Sequence, residues 1–63
     1  MNTRQQTILN ALQTGPQSIR SLADSIAPWV PFASVRRNIQ ELRRAGYNIN
    51  DARDNNGLYR LVA

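Results

Sequence analysis

The chain has 63 residues, which is enough for one domain with a small hydrophobic core and no more. It contains no cysteine and no histidine, which excludes a disulfide framework, thiolate chemistry and the commonest metal ligand. The formal net charge is +4, and all eight cationic side chains are arginine. A planar guanidinium suits phosphate oxygens and guanine edges, so this composition indicates a polyanionic partner, although codon bias would give the same composition.

Two helices are predicted in the first half of the chain. The first covers about residues 3–13, is capped by Asn2 or Thr3, and ends at Thr14-Gly15-Pro16. Its apolar side carries Ile8, Leu9 and Leu12. Ser18 is a plausible N-cap for a second helix. The apolar stripe of that second helix consists of Ile19, Leu22, Ala23 and Ile26.

Prolines limit the next segment. A residue before proline is driven out of the α region, so Ala27 and Val30 should be extended and the second helix should end by about Ile26. Pro31 is well suited to the first position of a third helix, which we predict over about residues 31–45. The inward side of this helix carries Phe32, Val35, Ile39 and Leu42.

The last segment predicts a β-hairpin, because its apolar residues recur with a period of two. A three-residue loop at residues 55–57, with Gly57 in the left-handed conformation, gives the cleanest apolar face. That face consists of Tyr47, Ile49, Tyr59 and Leu61. A short extended piece around Gln17 would add a third strand beside the hairpin.

Four segments in this order carry a resemblance to a known family. They are "TILNALQTG", "SIRSLADSI", "SVRRNIQELRRAGYNI" and "GLYRL". Together they resemble small bacterial and phage winged helix-turn-helix DNA-binding domains, such as the N-terminal domain of the biotin operon repressor. The resemblance runs from about Ile8 to Leu61. It implies a single α+β, mainly α, domain over residues 1–63, in which a two-stranded β-hairpin wing follows three helices.

The resemblance also implies that the third helix is a recognition helix that enters the major groove of DNA. At about 100° per residue, the side opposite its apolar stripe carries Ala33, Arg37, Gln40 and Arg44, with Ser34 and Arg36 on its flanks. Arg36 and Arg37 are candidates for guanine edges and Gln40 for adenine, while the small residues permit close approach. The alternative is an ordinary solvated face, with Glu41 as an ion-pair partner for Arg37.

Phosphate contacts have separate candidates. Arg43 and Arg44 lie near the end of the third helix, where cations also stabilise the helix dipole. At the second helix, Ser18 with the free backbone amides and Arg20 are further candidates, although a solvated arginine would look the same.

The wing tip covers about residues 53–57, and the resemblance implies that it lies along the DNA backbone or in the minor groove. Arg53 is its natural contact, with Asn55 and Asn56 as secondary donors. Asparagine and glycine are also ordinary turn residues, which is the alternative interpretation.

The sequence therefore predicts a sequence-specific double-stranded DNA-binding protein, a transcriptional regulator of the repressor type. A homodimer on a palindromic site is one form in which it would bind. The alternative is a protein-interaction module that uses an exposed Trp29-Val30 turn or the arginine face. Trp29 either bridges the second and third helices or lies in a partner surface, and its solvent exposure distinguishes the two.

Other classes are not expected. No apolar run approaches the roughly 20 residues that span a bilayer, and the start of the chain lacks a signal-peptide core. We therefore expect a cytoplasmic protein, and the initiating methionine favours a complete one. The sequence has no glycine-rich phosphate loop, zinc-binding spacing or nucleophile–base pair. No enzymatic activity, cofactor, metal or small-molecule effector is predicted.

Overall fold

The computed structural model describes residues 2–50 and 57–62, which form three helices and a three-stranded antiparallel sheet. The elements in chain order are α1 (Thr3–Gln13), β1 (Gln17–Ser18), α2 (Ile19–Ile26), α3 (Phe32–Arg44), β2 (Ile49–Asn50) and β3 (Leu58–Leu61). The predicted α+β class is thus confirmed. Most of the predicted hairpin loop, with Arg53, Asn55 and Asn56, lies outside the described residues.

The predicted starts of α1 and α2 are confirmed. The Asn2 side chain accepts a hydrogen bond from the Gln5 backbone N–H at 2.8 Å, and the Gln5 side chain accepts one from the Asn2 N–H at 3.3 Å. This reciprocal pair is a capping box that satisfies two N–H groups otherwise left without partners. Ser18 caps α2 by accepting a hydrogen bond from the Ser21 N–H at 3.1 Å.

The core forms where the apolar stripes of the three helices meet the sheet. Its buried residues are Ile8, Leu9, Leu12, Leu22, Ala23, Val30, Val35, Ile39, Leu42, Ile49 and Tyr59. Apart from Val30, all of these were assigned to apolar faces from the sequence. Ile19 and Ile26 pack against the edge of this cluster. Burial of such side chains is the main favourable term available to so short a chain.

The connector between α2 and α3 follows the prolines but fills the core differently from the prediction. α2 ends at Ile26, and Ala27 is extended at φ −167° and ψ 151°, as predicted. Pro31 is not the predicted first helical residue but the N-cap of α3, one position earlier, with an extended ψ of 145°. The prediction that Phe32 points inward is wrong, since it is 43% exposed while Val30 is only 5% exposed. Val30 supplies the apolar contact at this end of α3, which leaves the larger ring outside.

The sheet has the order β1-β3-β2, with both neighbours of β3 antiparallel to it. The register pairs Gln17 with Tyr59, Ser18 with Leu58, Ile49 with Leu61, and Asn50 with Arg60. The third strand at Gln17 and the shared face of Ile49 and Leu61 are therefore confirmed. Gly57 has φ +84°, the left-handed conformation predicted for it.

Tyr47 does not belong to the apolar face of the hairpin, and that prediction is wrong: its side chain is 37% exposed. Gly46 reverses the chain at φ +107°, and the Tyr47 N–H donates to the Leu42 carbonyl at 3.1 Å. These are the features of a helix C-terminal motif in which a left-handed glycine closes the last turn. Tyr47 is thus part of the end of α3 and precedes the strand ladder.

Within the described ranges, the structure contains no helix with the length and apolar character needed to cross a membrane.

Candidate nucleic-acid interface

The outer face of α3 collects most of the predicted site residues. Ala33, Arg36, Arg37, Gln40 and Arg44 are all exposed, and Ser34 is half-buried. On the opposite side Val35, Ile39 and Leu42 are buried. No acidic residue lies in the first turn of this helix, and its last turn carries Arg43 and Arg44. The face, defined here as the arginine face (residues 33, 36, 37, 40 and 44), is thus a cationic surface on a rigid element.

A polar network between α1 and α3 was not predicted from the sequence. Gln5 Nε2 donates to the Glu41 carboxylate at 2.6 Å, and Nδ2 of Asn2, the N-cap of α1, donates to Asn38 Oδ1 at 3.5 Å. Within α3, Asn38 Nδ2 also donates to the Ser34 carbonyl at 2.8 Å. Gln5 and Asn38 are both buried. Since buried polar groups must be hydrogen-bonded, the network fixes α3 against α1. Glu41, the proposed alternative partner of Arg37, is instead engaged from the α1 side.

Arg4 is the second feature that sequence reasoning missed. Its guanidinium donates to Ser34 Oγ at 2.9 Å, and its central carbon lies 5.6 Å from the centroid of the Trp29 ring. The first contact is a hydrogen bond and the second is within the range of a cation–π interaction. Arg4 therefore joins α1, the connector and the start of α3. One signal was available, because a cation in the first turn of α1 opposes the helix dipole.

Trp29 does not bridge α2 and α3. Its side chain is 71% exposed, so the bridging interpretation is wrong, and its ring packs beside Arg4 at the surface. The predicted exposed turn is also half wrong, since Val30 is buried. The apolar surface that remains here comes from Trp29 and from Phe32, the first residue of α3, with the exposed Pro28 and Pro31 beside them.

The predicted phosphate site at α2 has mixed features. Arg20 is exposed, as a phosphate contact requires. The Ser18 hydroxyl already accepts the capping hydrogen bond of α2, and Ser18 pairs with Leu58 in the sheet. An open, polar depression beside these residues also contains Asp24. A carboxylate there reduces the attraction for an anion, so this end of α2 is a weaker candidate than the arginine face.

Arg43 and Arg44 differ in their surroundings, although both were predicted to be near phosphates. Arg43 is half-buried, and its Nε donates to the Ile49 carbonyl at 2.8 Å, which ties the end of α3 to β2. Arg44 is exposed on the arginine face. Arg43 therefore has a structural role, and the prediction of a phosphate contact is better assigned to Arg44.

This difference predicts opposite outcomes for two neighbouring substitutions. Arg43→Ala should lower the free energy of unfolding by about 1–2 kcal/mol, because it removes a charge-assisted hydrogen bond and leaves a carbonyl without its partner. Arg44→Ala should change it by no more than about 0.5 kcal/mol. Urea denaturation followed by circular dichroism measures both. Equal losses in the two variants would contradict the assignment.

Comparison of the chain with protein-family models, with curated proteins and with solved structures gave no match. The function is therefore inferred from residues and geometry. In the part of the chain that the structure describes, no cluster of three or more acidic, histidine or cysteine side chains could hold a metal ion.

Proposed function

We propose that this protein is a sequence-specific double-stranded DNA-binding protein of the winged helix-turn-helix type, which acts as a transcriptional regulator of the repressor class. The observation that carries the proposal is the arginine face. Three exposed arginines and one exposed glutamine lie on one side of a helix whose other side is buried. A cationic helix of this kind suits the dimensions and the negative potential of the major groove.

The order of the elements supports the same proposal. A strand precedes α2, and a hairpin follows α3 and places its second strand at the centre of the sheet. In a winged helix, α3 is the recognition helix and the hairpin is the wing. The wing tip at residues 53–57, with Arg53, Asn55 and Asn56, would then reach the DNA backbone or the minor groove.

Each residue of the arginine face has a proposed role. Arg36 and Arg37 donate to guanine O6 and N7, and Gln40 makes a bidentate contact with adenine. Arg44, with Arg20, neutralises phosphates. Ala33 keeps the approach to the groove open. Four to six phosphate contacts by one domain give weak binding, so a homodimer on two half-sites about one helical turn apart would supply affinity.

A protein-interaction module is the second candidate, and the 71% exposure of Trp29 favours it. Burial of Val30 removes half of the apolar turn on which that candidate was based. The remaining apolar surface is flanked by Arg4, and the arginine face follows it along α3. A polyanionic partner accounts for more of these features than an apolar protein surface does.

Selection from a library of random-sequence duplexes tests the proposal. We expect enrichment of a motif with half-sites about 10 base pairs apart. Binding of the selected duplex should fall with salt at a log–log slope of about −3.6 to −5.4 per bound domain, as four to six released counterions require, and at about twice that slope for a homodimer. If nanomolar protein retains no duplex at low salt, the DNA-binding proposal is wrong.

A further inference from the structure

Phe32 occupies an unusual place for a phenylalanine. It is the first residue of α3, and 43% of its side chain is exposed. Full burial of such a side chain would contribute about 1.5–3 kcal/mol, and much of that contribution is not realised here. The buried core cluster includes Val30 and does not include Phe32. Folding alone therefore gives no reason for an aromatic residue at this position.

The surroundings of Phe32 indicate the kind of partner that it contacts. Arg36 and Gln40 follow it at intervals of four residues, so the three side chains form one row, which runs from Phe32, at the border of the buried side, onto the arginine face. Ala33 is exposed beside it, and Trp29, held by Arg4, lies just before the helix. The apolar surface is thus short and is bordered by arginines.

Two partly exposed rings, with Pro28 and Pro31 beside them, are a small apolar area compared with the roughly 800 Å² per partner that a stable protein interface buries, so a protein partner would have to bind mainly through the arginines. The positive border also disfavours a second copy of this cationic chain. A base edge in the major groove fits both features, because it is surrounded by phosphates and thymine presents one apolar group there. That group is its C5-methyl, for which phenylalanine and alanine are suitable contacts.

We propose that Phe32 is a specificity-determining residue that reads the C5-methyl group of a thymine, with Ala33 beside it. The inference rests on the proposed DNA-binding function and adds a base preference to it. Four residues, about 6 Å of helix rise, separate Phe32 from Arg36, and base pairs repeat about every 3.4 Å. The thymine is therefore expected within about two base pairs of the base that Arg36 reads.

Replacement of single thymines by uracil in the selected duplex tests this inference, since it removes only the methyl group. For the wild type, we expect one thymine whose replacement weakens binding about fourfold, the value of one buried methyl group. For Phe32→Ala, the same replacement should have no effect. Phe32→Leu, which keeps an apolar side chain, should retain most of the discrimination. Leu58→Ala removes an exposed apolar side chain from β3 and should leave the wild-type pattern unchanged.

The outcomes separate this inference from the function on which it rests. If replacement of thymine by uracil changes the affinity equally in the wild type and in Phe32→Ala, the thymine contact is wrong, while DNA binding stands. Contact of the Phe32 ring with a protein partner would then be the remaining explanation. Failure to bind any duplex would overturn both. A uracil effect that disappears in Phe32→Ala and returns in Phe32→Leu would establish the contact.

Discussion

Replacement of Arg37 by alanine is expected to weaken binding to the selected duplex by about 10- to 100-fold, because one bidentate arginine–guanine contact is worth about 1–3 kcal/mol. The substitution should also relax the base preference at one position of the motif. Arg37 is exposed on α3, and the nearby Glu41 is held by Gln5, so removal of the side chain leaves the protein core unchanged. Fluorescence anisotropy of a labelled duplex, measured at one fixed salt concentration, gives the change in affinity.

Two control variants separate base recognition from simple charge. Arg60→Ala makes the same change in net charge at an exposed position of β3, outside the arginine face, and should reduce affinity only slightly. Arg37→Lys keeps the charge but loses the planar fork, so it should lose base preference while it retains part of the affinity. If Arg37→Ala weakens all duplexes equally and reduces the salt slope by about one, Arg37 contacts a phosphate and no base.

Replacement of Ile39 by alanine is expected to unfold most of the protein at room temperature. Ile39 is 1% exposed and lies at the centre of the buried side of α3. Removal of three carbons from such a position costs about 2–5 kcal/mol, from lost transfer free energy and from the cavity that remains. A single core in a domain of this length rarely supplies more than about 3–5 kcal/mol in total. Thermal and urea unfolding, followed by circular dichroism, measure the loss.

The control for this prediction lies on the same helix. Phe32→Ala removes more atoms than Ile39→Ala but should cost less than about 1 kcal/mol, since the Phe32 side chain is largely outside the core. Comparable destabilisation by the two substitutions would place Phe32 in the core. That result would contradict both its exposure and the role in thymine recognition that follows from it.

Local signals in the sequence were sufficient for the helices, the connector and the shared face of the hairpin. The apolar periods of 3.6 and of two are set by backbone geometry, so they locate Val35, Ile39 and Ile49 without any knowledge of the tertiary structure. Pre-proline sterics end α2 before Pro28 in the same local way. Because the apolar period places one side of α3 in the core, it also predicts that the opposite side, the arginine face, is exposed.

Two incorrect predictions, for Phe32 and Tyr47, concern residues that fit an apolar period in the sequence. Val30 and Phe32 are both apolar, and the sequence does not say which of them fills the end of the core. The period of two also assigned Tyr47 to a strand. In the structure, Tyr47 follows the turn at Gly46, and its N–H is bonded to the last turn of α3. In each case the three-dimensional path of the chain decides between two locally acceptable positions.

Contacts between distant parts of the chain were the least accessible. Arg4 reaches Ser34 across 30 positions, and Gln5 reaches Glu41 across 36. The residues that flank Arg4 and Gln5 in the sequence do not indicate which distant residues they contact. These contacts connect α1 to α3 and fix the position of α3, which carries the candidate interface. Sequence reasoning therefore missed the contacts that hold the recognition surface in place.

The contact between Arg4 and Trp29 gives this protein an intrinsic optical probe. Trp29 is the only tryptophan of the chain, and its exposed indole lies beside the start of α3. Its emission should therefore shift and be quenched when a ligand covers that surface, while unfolding at distant positions should change it little. Occupancy of the interface can then be followed with unlabelled protein and unlabelled DNA. The same signal would report whether any other partner approaches α3 from this side.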